Sequence, residues 1–393
     1  MLKHSKIWLL IGLMGVTGCS SEDQEEPMAE RGVPVTLTSY VADYHGADRG
    51  GRANEARGIT RTWTPPTGYS TLAELADKSI SIFLTEGYLE DGFGEEHFYK
   101  RGDQWRVSTK MKSGDTYYIY GYVPYEASIR PSIEKLYGES DYKNGAVLTL
   151  ENLPAITTND ICVIVGAKNG TSADNDNGLT TGQFAYTAAA SNYVYLLFDH
   201  LYSSINVRFM VEENYNRLRT IKLKKLELQA RVLNETTGEK TPLKRKTRAV
   251  ITLRKTTDGS SPMKVGNVDQ ITFTPDETSA NADELLFTSA DGYTLSTSLS
   301  EFNGCFMSQG VSDFTLRTTY DVYDKNVTEE HPNGNLIREN CTAENKIDIH
   351  ELFSTINTAS RGFKYIVKLI VNPTYLYVLS EPDLDNPTIT IEN

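Results

Sequence analysis

From residue 33 onward the chain is built of short runs in which apolar and polar residues alternate, most of them bounded by Gly, Pro, Asn or Asp. A period of two marks a half-buried strand, because successive side chains leave opposite faces of the pleat. Val33–Val41, Ser79–Leu84, Asp115–Tyr125, Ala146–Leu150 and Asp160–Val165 read as strands. So do Tyr193–Phe198, Ser204–Val211, Ile221–Leu228, Ala249–Leu253, Gln270–Phe273, Phe314–Val322, Lys364–Val371 and Tyr375–Leu379. The segment Pro332–Asn335 is a turn signal between two such runs. Only Leu72–Asp77 and Ile349–Thr355 offer a turn or two of helix. Strands spaced by roughly 10–15 residues, with no helices alternating between them, predict an all-β sandwich architecture. A second block of strands opens at Tyr193, which puts a boundary near residue 192.

The first residues follow a different pattern. Lys3 and Lys6 precede an apolar run from Ile7 to Val16, too short to span a bilayer as a helix but suited to the core of a secretory signal. Val16-Thr17-Gly18-Cys19 resembles a bacterial lipobox, in which Cys19 becomes the lipidated first residue and residues 1–18 are removed. The acidic stretch Ser20–Pro27 that follows resembles the surface-export signal of Bacteroidetes lipoproteins. No later segment has 18 consecutive apolar residues, so the body of the chain is expected outside the bilayer.

Composition narrows the chemistry. The 393 residues carry a net charge of −13, and losing Lys3 and Lys6 with the signal moves this to −15. A pI near 5.1 argues against a nucleic-acid partner, which needs a clustered basic surface. Tyr is abundant at 23 residues, a bias that suits strands. Six His and four Cys leave little for metal or thiol chemistry. After lipidation Cys162, Cys305 and Cys341 remain, an odd number that cannot all pair within one chain. Cys162, in the apolar run Ile161–Val165, reads as a buried thiol, and a Cys305–Cys341 bridge stays open.

No CxxC and no Cys/His pair stands at ligand spacing, so neither a metal nor a cofactor is expected. Asp174–Gly178 is a poor calcium loop: aligning Gly178 to the loop glycine puts Ala173 at the first ligand position and Phe184 where a bidentate Glu belongs. Asp321, Asp324, Glu329 and Glu330 have nothing to fix them as oxygen ligands. His200, after Phe198 and Asp199, reads as a structural histidine at a strand entry. With no nucleophile elbow, zinc-helix or phosphate-loop motif, no enzyme is expected. The Tyr-rich stretch around Tyr117, Tyr118 and Tyr120 can serve either as a stacking surface for sugars or as sandwich packing.

Several features occur in one order: the lipobox, the Val33–Val41 run, an Arg-containing loop, Thr60-Arg61-Thr62-Trp63, the Tyr117–Tyr125 stretch, and Phe198 to Phe209. This arrangement resembles the fimbrillin family of Bacteroidales, its pilus subunits and pilus-associated lipoproteins. The resemblance implies two tandem transthyretin-like β-sandwich domains after a lipoprotein signal peptide. The divisions are 1–18 signal, 19–61 lipid-anchored linker with a removable first strand and Arg-rich loop, 62–192 first domain, and 193–393 second domain.

The same resemblance implies maturation. An Arg-specific protease cuts the loop after the first strand, and a strand from another subunit fills the bared groove. Carried onto this chain, the removable strand is Val33–Val41. The cleavage candidates are Arg49, Arg52, Arg57 and Arg61, with Arg61 first and Arg57 second. The donated strand is Tyr375–Leu379, through Tyr375 and Tyr377, or Thr388–Ile391, through Ile389 and Ile391. Both runs can equally complete their own domain. The implied partners are other fimbrial subunits by strand exchange, the outer membrane through the lipid, and a host or bacterial surface receptor. The implied location is the outer-membrane surface, then the fimbrium. The alternative function is a monomeric surface lipoprotein that binds a glycan or host ligand.

Overall fold

The computed structural model describes residues 33–41, 45–46, 78–85, 94–102, 104–107, 111–170, 181–189, 193–234, 236–255, 270–308, 310–332, 334–352, 357–372 and 383–392. Cys19, Arg49, Arg52, Arg57, Arg61, Tyr375 and Tyr377 lie outside them, as do the helical run expected at 72–77 and the loop 174–178.

The described residues are almost wholly strand. In chain order these are β1 Val33–Val41, β2 His45–Gly46, β3 Ile80–Thr85, β4 Glu96–Arg101, β5 Gln104–Val107, β6 Thr116–Val123, β7 Arg130–Lys135 and β8 Gly145–Pro154. There follow β9 Ile156–Thr157, β10 Cys162–Asn169, β11 Ala185–Thr187, β12 Tyr193–His200, β13 Ser203–Val211, β14 Arg219–Leu233, β15 Lys240–Pro242 and β16 Lys246–Arg254. The last are β17 Gln270–Pro275, β18 Asp283–Thr294, β19 Ser300–Met307, β20 Val311–Asp324, β21 Leu336–Asp348, β22 Phe363–Asn372 and β23 Asp383–Glu392. Two single-turn helices, α1 Glu213–Asn216 and α2 Ile349–Leu352, interrupt them. The second falls within the helical run expected at 349–355.

The first sheet runs β10-β12-β1-β5-β4-β3-β6, and β6 pairs back onto β10 through Cys162↔Val123 and Val163↔Tyr122. The sheet therefore curls into a closed ring of seven strands, with β11 added along β6. Closure removes the exposed edges that would otherwise invite pairing with other chains. Alternate residues fill the ring, among them Ile80, Phe98, Trp105, Ile119, Ile164 and Phe198. The opposite faces of β6, β10 and β12, including Tyr120, Tyr122, Val163 and Leu197, pack on Leu148, Leu150, Ala249, Ile251 and Leu253. Those residues belong to a second sheet, β17-β16-β8-β7. Burial on both faces explains why β6, β10 and β12 read as nearly continuous apolar runs rather than alternating ones. Gly121 allows the close approach of β6 to β3, since a Cβ there would lie 2.0 Å from the Ser81 carbonyl oxygen.

The remaining strands form two sheets. One is β2-β22-β13-β19-β9 with β23 on β22, and the other is β15-β14-β20-β21 with β18 on β14. Their shared core includes Val207, Phe209, Leu226, Phe314, Leu316 and Val367. In β14, Ile221 and Leu223 point inward, then Leu226, Leu228 and Ala230. The phase changes between Leu223 and Lys225, where a register shift appears against both β18 and β20. An extra residue at a bulge is what lets both halves of so long a strand face the core.

Strand pairing crosses the boundary expected at residue 192. β12 pairs with β10 and β1 in the ring, and the chain changes sheets only between His200 and Ser203. Further on, β16 and β17 return to pair with β8, supplying Ala249, Ile251 and Leu253 to the core outside the ring. Alternation identifies a strand, but which sheet it joins depends on partners distant in sequence.

Candidate assembly site

β1 lies between two strands and pairs with each over a different stretch of its length. It runs parallel to β12, from Thr36↔Tyr193 to Val41↔Phe198, and antiparallel to β5, from Val33↔Val107 to Val35↔Trp105. It is the first described strand of the chain, yet it is an interior stave of the ring rather than an edge. Without it, β12 and β5 would each face a gap with unpaired backbone donors and acceptors. Each such group costs roughly 1–3 kcal/mol when buried unpaired.

The C-terminal candidates fall differently. Ile389 and Ile391 lie in β23, which pairs antiparallel with β22 through Leu369↔Ile389 and Val367↔Ile391. Among the described residues β22 is the only strand paired with β23, so β23 sits at the sheet's margin. The other flank of β22 is held by β13, in parallel register from Ser204↔Lys364 to Val211↔Val371.

At one mouth of the ring the register assembles a polar cluster. Cys162 opens β10 and is the direct cross-strand partner of His200, the last residue of β12. Asp160 stands two residues before Cys162. The Cys162 Sγ lies 3.4 Å from His200 Nδ1, and that nitrogen lies 2.8 Å from Asp160 Oδ2. Cys162 and His200 are buried, and the Asp160 side chain is 11% exposed. Burial pushes the Cys162 thiol well above its usual range, and the carboxylates of Asp160 and Asp199 push it further. The buried thiol expected at Cys162 is present, but the absence of a Cys/His pair read from linear spacing does not survive folding. Residues 38 apart meet because two strands pair.

Asp199, adjacent to His200, joins a second contact. Its Oδ2 accepts from Arg361 Nη1 at 2.6 Å, and the same nitrogen donates to the His200 carbonyl at 3.1 Å. Arg361 precedes β22, so this pair links the end of the ring to the start of another sheet. Gly362 N–H reinforces the link by donating to the Tyr202 carbonyl at 2.8 Å. Neither Arg361 nor Asp160 was singled out from the sequence, and no linear motif marks them.

The Tyr-rich strand is packing rather than a binding face. Tyr117 lies inside the ring and Tyr120 is fully buried outside it, with its hydroxyl donating to the Tyr142 carbonyl at 2.5 Å. Tyr118 packs part-buried against the same outer core. Of the two readings open for these rings, the structure shows packing, because both faces of β6 are covered. Asp321 faces Lys224 at 3.2 Å and accepts from the Asn340 N–H at 2.7 Å, while Asp324 faces Arg219 at 3.8 Å. Protein cations and N–H groups occupy these carboxylates. Cys305 is buried and Cys341 partly so, and both are free thiols.

No family model and no curated protein matches the chain. Among solved structures it is similar to a fimbrial protein from Bacteroides vulgatus, with 14% identity and a TM-score of 0.44, covering 91% of this chain and 98% of that one. It is also similar to a fimbrial protein from Bacteroides ovatus, at 10% identity and a TM-score of 0.27. That match covers 90% of this chain and 54% of the other.

Proposed function

We propose that this chain is a subunit of a surface fimbria, exported as a lipoprotein through Cys19 and assembled by exchange of β-strands. The observation that carries the reading is the position of β1, an N-terminal strand enclosed between β12 and β5. Cleavage at Arg61, or at Arg57, detaches β1 together with the two-residue β2 and leaves β3 and every later strand in one piece. The slot so opened offers two ladders of opposite sense, one parallel and one antiparallel. A donated strand running as β1 runs satisfies both, with its alternate side chains turned toward the ring interior.

The donor is the C-terminal segment of a neighbouring subunit, which includes Ile389 and Ile391 and extends back to Tyr375 and Tyr377. β23 rests at a sheet margin on a single partner strand, so its release breaks one ladder where release of an interior strand breaks two. The lipid at Cys19 holds the precursor at the outer membrane until cleavage; firm anchoring takes more than one acyl chain. This work is done by backbone pairing and requires no catalytic group.

The test is to treat purified precursor with an arginine-specific protease and follow it on denaturing gels after mild and harsh heating. The reading predicts trimming within residues 49–61 and a heat-sensitive ladder of multimers. Trimmed protein that stays monomeric, alone and with partner subunits, overturns it.

A further inference from the structure

The cluster at the mouth of the ring is independent of the assembly reading and has the chemistry of a ligand site. Three different donor atoms, the Asp160 carboxylate, the Cys162 thiol and the His200 Nδ1, lie within 4.8 Å of one another. Two features of the fold place them. Residues two apart in an extended segment share a face, which aligns Asp160 with Cys162. The β10–β12 register sets His200 directly opposite Cys162, where cross-strand Cβ atoms stand about 4.5–5.5 Å apart.

Thiolate, imidazole and carboxylate together are the donor set of zinc, with bonds of about 2.0–2.3 Å in a tetrahedral arrangement. Bonds of that length at a tetrahedral angle separate donor atoms by about 3.3–3.7 Å, the longer values for pairs that include sulfur. The Cys162–His200 separation of 3.4 Å is close to this, the His200–Asp160 separation of 2.8 Å must open by about half an ångström, and the Asp160–Cys162 pair lies within 4.8 Å. Charge also balances, since one thiolate and one carboxylate neutralise a divalent cation and so let it be buried.

We propose that Asp160, Cys162 and His200 bind a divalent transition-metal ion, zinc being the best match, which pins β10 to β12 at the mouth of the ring. On binding, the Cys162 thiol releases its proton to solvent. His200 keeps its single proton on Nε2, so that the Nδ1 lone pair meets the metal. The fourth position is left to water, reached past the partly exposed Asp160 carboxylate. Val41 of β1 is registered with Phe198, two residues from His200, so the staple stiffens the strand that holds β1.

Untagged full-length mature protein, stripped with a chelator and re-equilibrated with zinc, tests the proposal by elemental analysis after gel filtration. Cobalt titration supplies a second readout through the near-ultraviolet band of a cobalt–thiolate bond. The expected result is about one zinc per chain and a cobalt–thiolate band that Cys162→Ser abolishes. Asp160→Asn, at the rim, guards against misfolding: it is expected to keep the circular-dichroism spectrum of the wild type while weakening zinc at least tenfold. Less than a tenth of an equivalent of zinc overturns the proposal. Zinc and cobalt binding unchanged in both variants also overturns it.

Discussion

Arg361 reaches across from the segment before β22 to place its guanidinium 2.6 Å from the Asp199 carboxylate, which is 1% exposed. The other oxygen of Asp199 is buried with no hydrogen-bond partner among the described residues. Arg361 is therefore the cation that pairs with this buried carboxylate. Removing one partner of a buried pair leaves an uncompensated charge, at a cost of roughly 3–5 kcal/mol. Arg361→Met is expected to lower the chemical-denaturation midpoint accordingly, and the double variant with Asp199→Asn to recover most of the loss. A double variant no more stable than Arg361→Met contradicts this account.

A second ionic group ties β15 to β20 and β21. Lys240 Nζ contacts Asp348 at 2.5 Å and Asp313 at 3.2 Å. Burial works to raise the Asp348 carboxyl, but Lys240 and the N–H groups of His350 and Glu351 outweigh it and hold the group below its ordinary value of 3.8. The hydrogen bond to Asp348 raises Lys240 above 10.5, against a smaller opposing effect of burial. A carboxyl depressed by folding stabilises the fold above its unfolded value, and that contribution disappears as pH falls through the folded value. A raised lysine contributes below its unfolded value and ceases to do so as pH rises through the folded one. Thermal melts of wild type and Asp348→Asn are expected to differ between about pH 5 and 9 and to converge under strong acid. A difference that persists unchanged below pH 2 contradicts it.

Ile251 lies far along the chain from the ring, yet it is fully buried against the ring's outer face. Ile251→Ala is expected to cost about 2–5 kcal/mol, through lost burial and a residual cavity. The loss should register as faster amide exchange in β10 and β12, with β20 unchanged. Faster exchange in β20 alone would mean that β16 belongs energetically to the later sheets.

Much of the strand content was legible in the sequence, because β14 and β20 bury alternate apolar residues and β10 and β12 are continuously apolar. β21 carries no legible apolar period, since its inward positions include Ala343 and Asn345 and its outward ones Thr342, Glu344 and Lys346 are polar. β4, β5 and β7 were missed for the related reason that short, polar strands have no period long enough to read. Sheet membership was harder still. Tyr193–Phe198 is plainly a strand, but its place in the ring is fixed by β10 and β1, and the return of β16 to β8 leaves no local trace. The polar cluster was hidden for the same cause, as Cys162 and His200 become neighbours only through register.

The central claim concerns the slot between β12 and β5, and amide hydrogen exchange over residues 193–198 reads it most directly. The measurement compares intact precursor, protease-trimmed protein, and trimmed protein with a peptide covering residues 373–393. The account predicts protection in the precursor, its loss in those β12 amides on trimming, and its return when the peptide is added. Protection that survives the removal of β1, or that excess peptide fails to restore, contradicts strand exchange at this site.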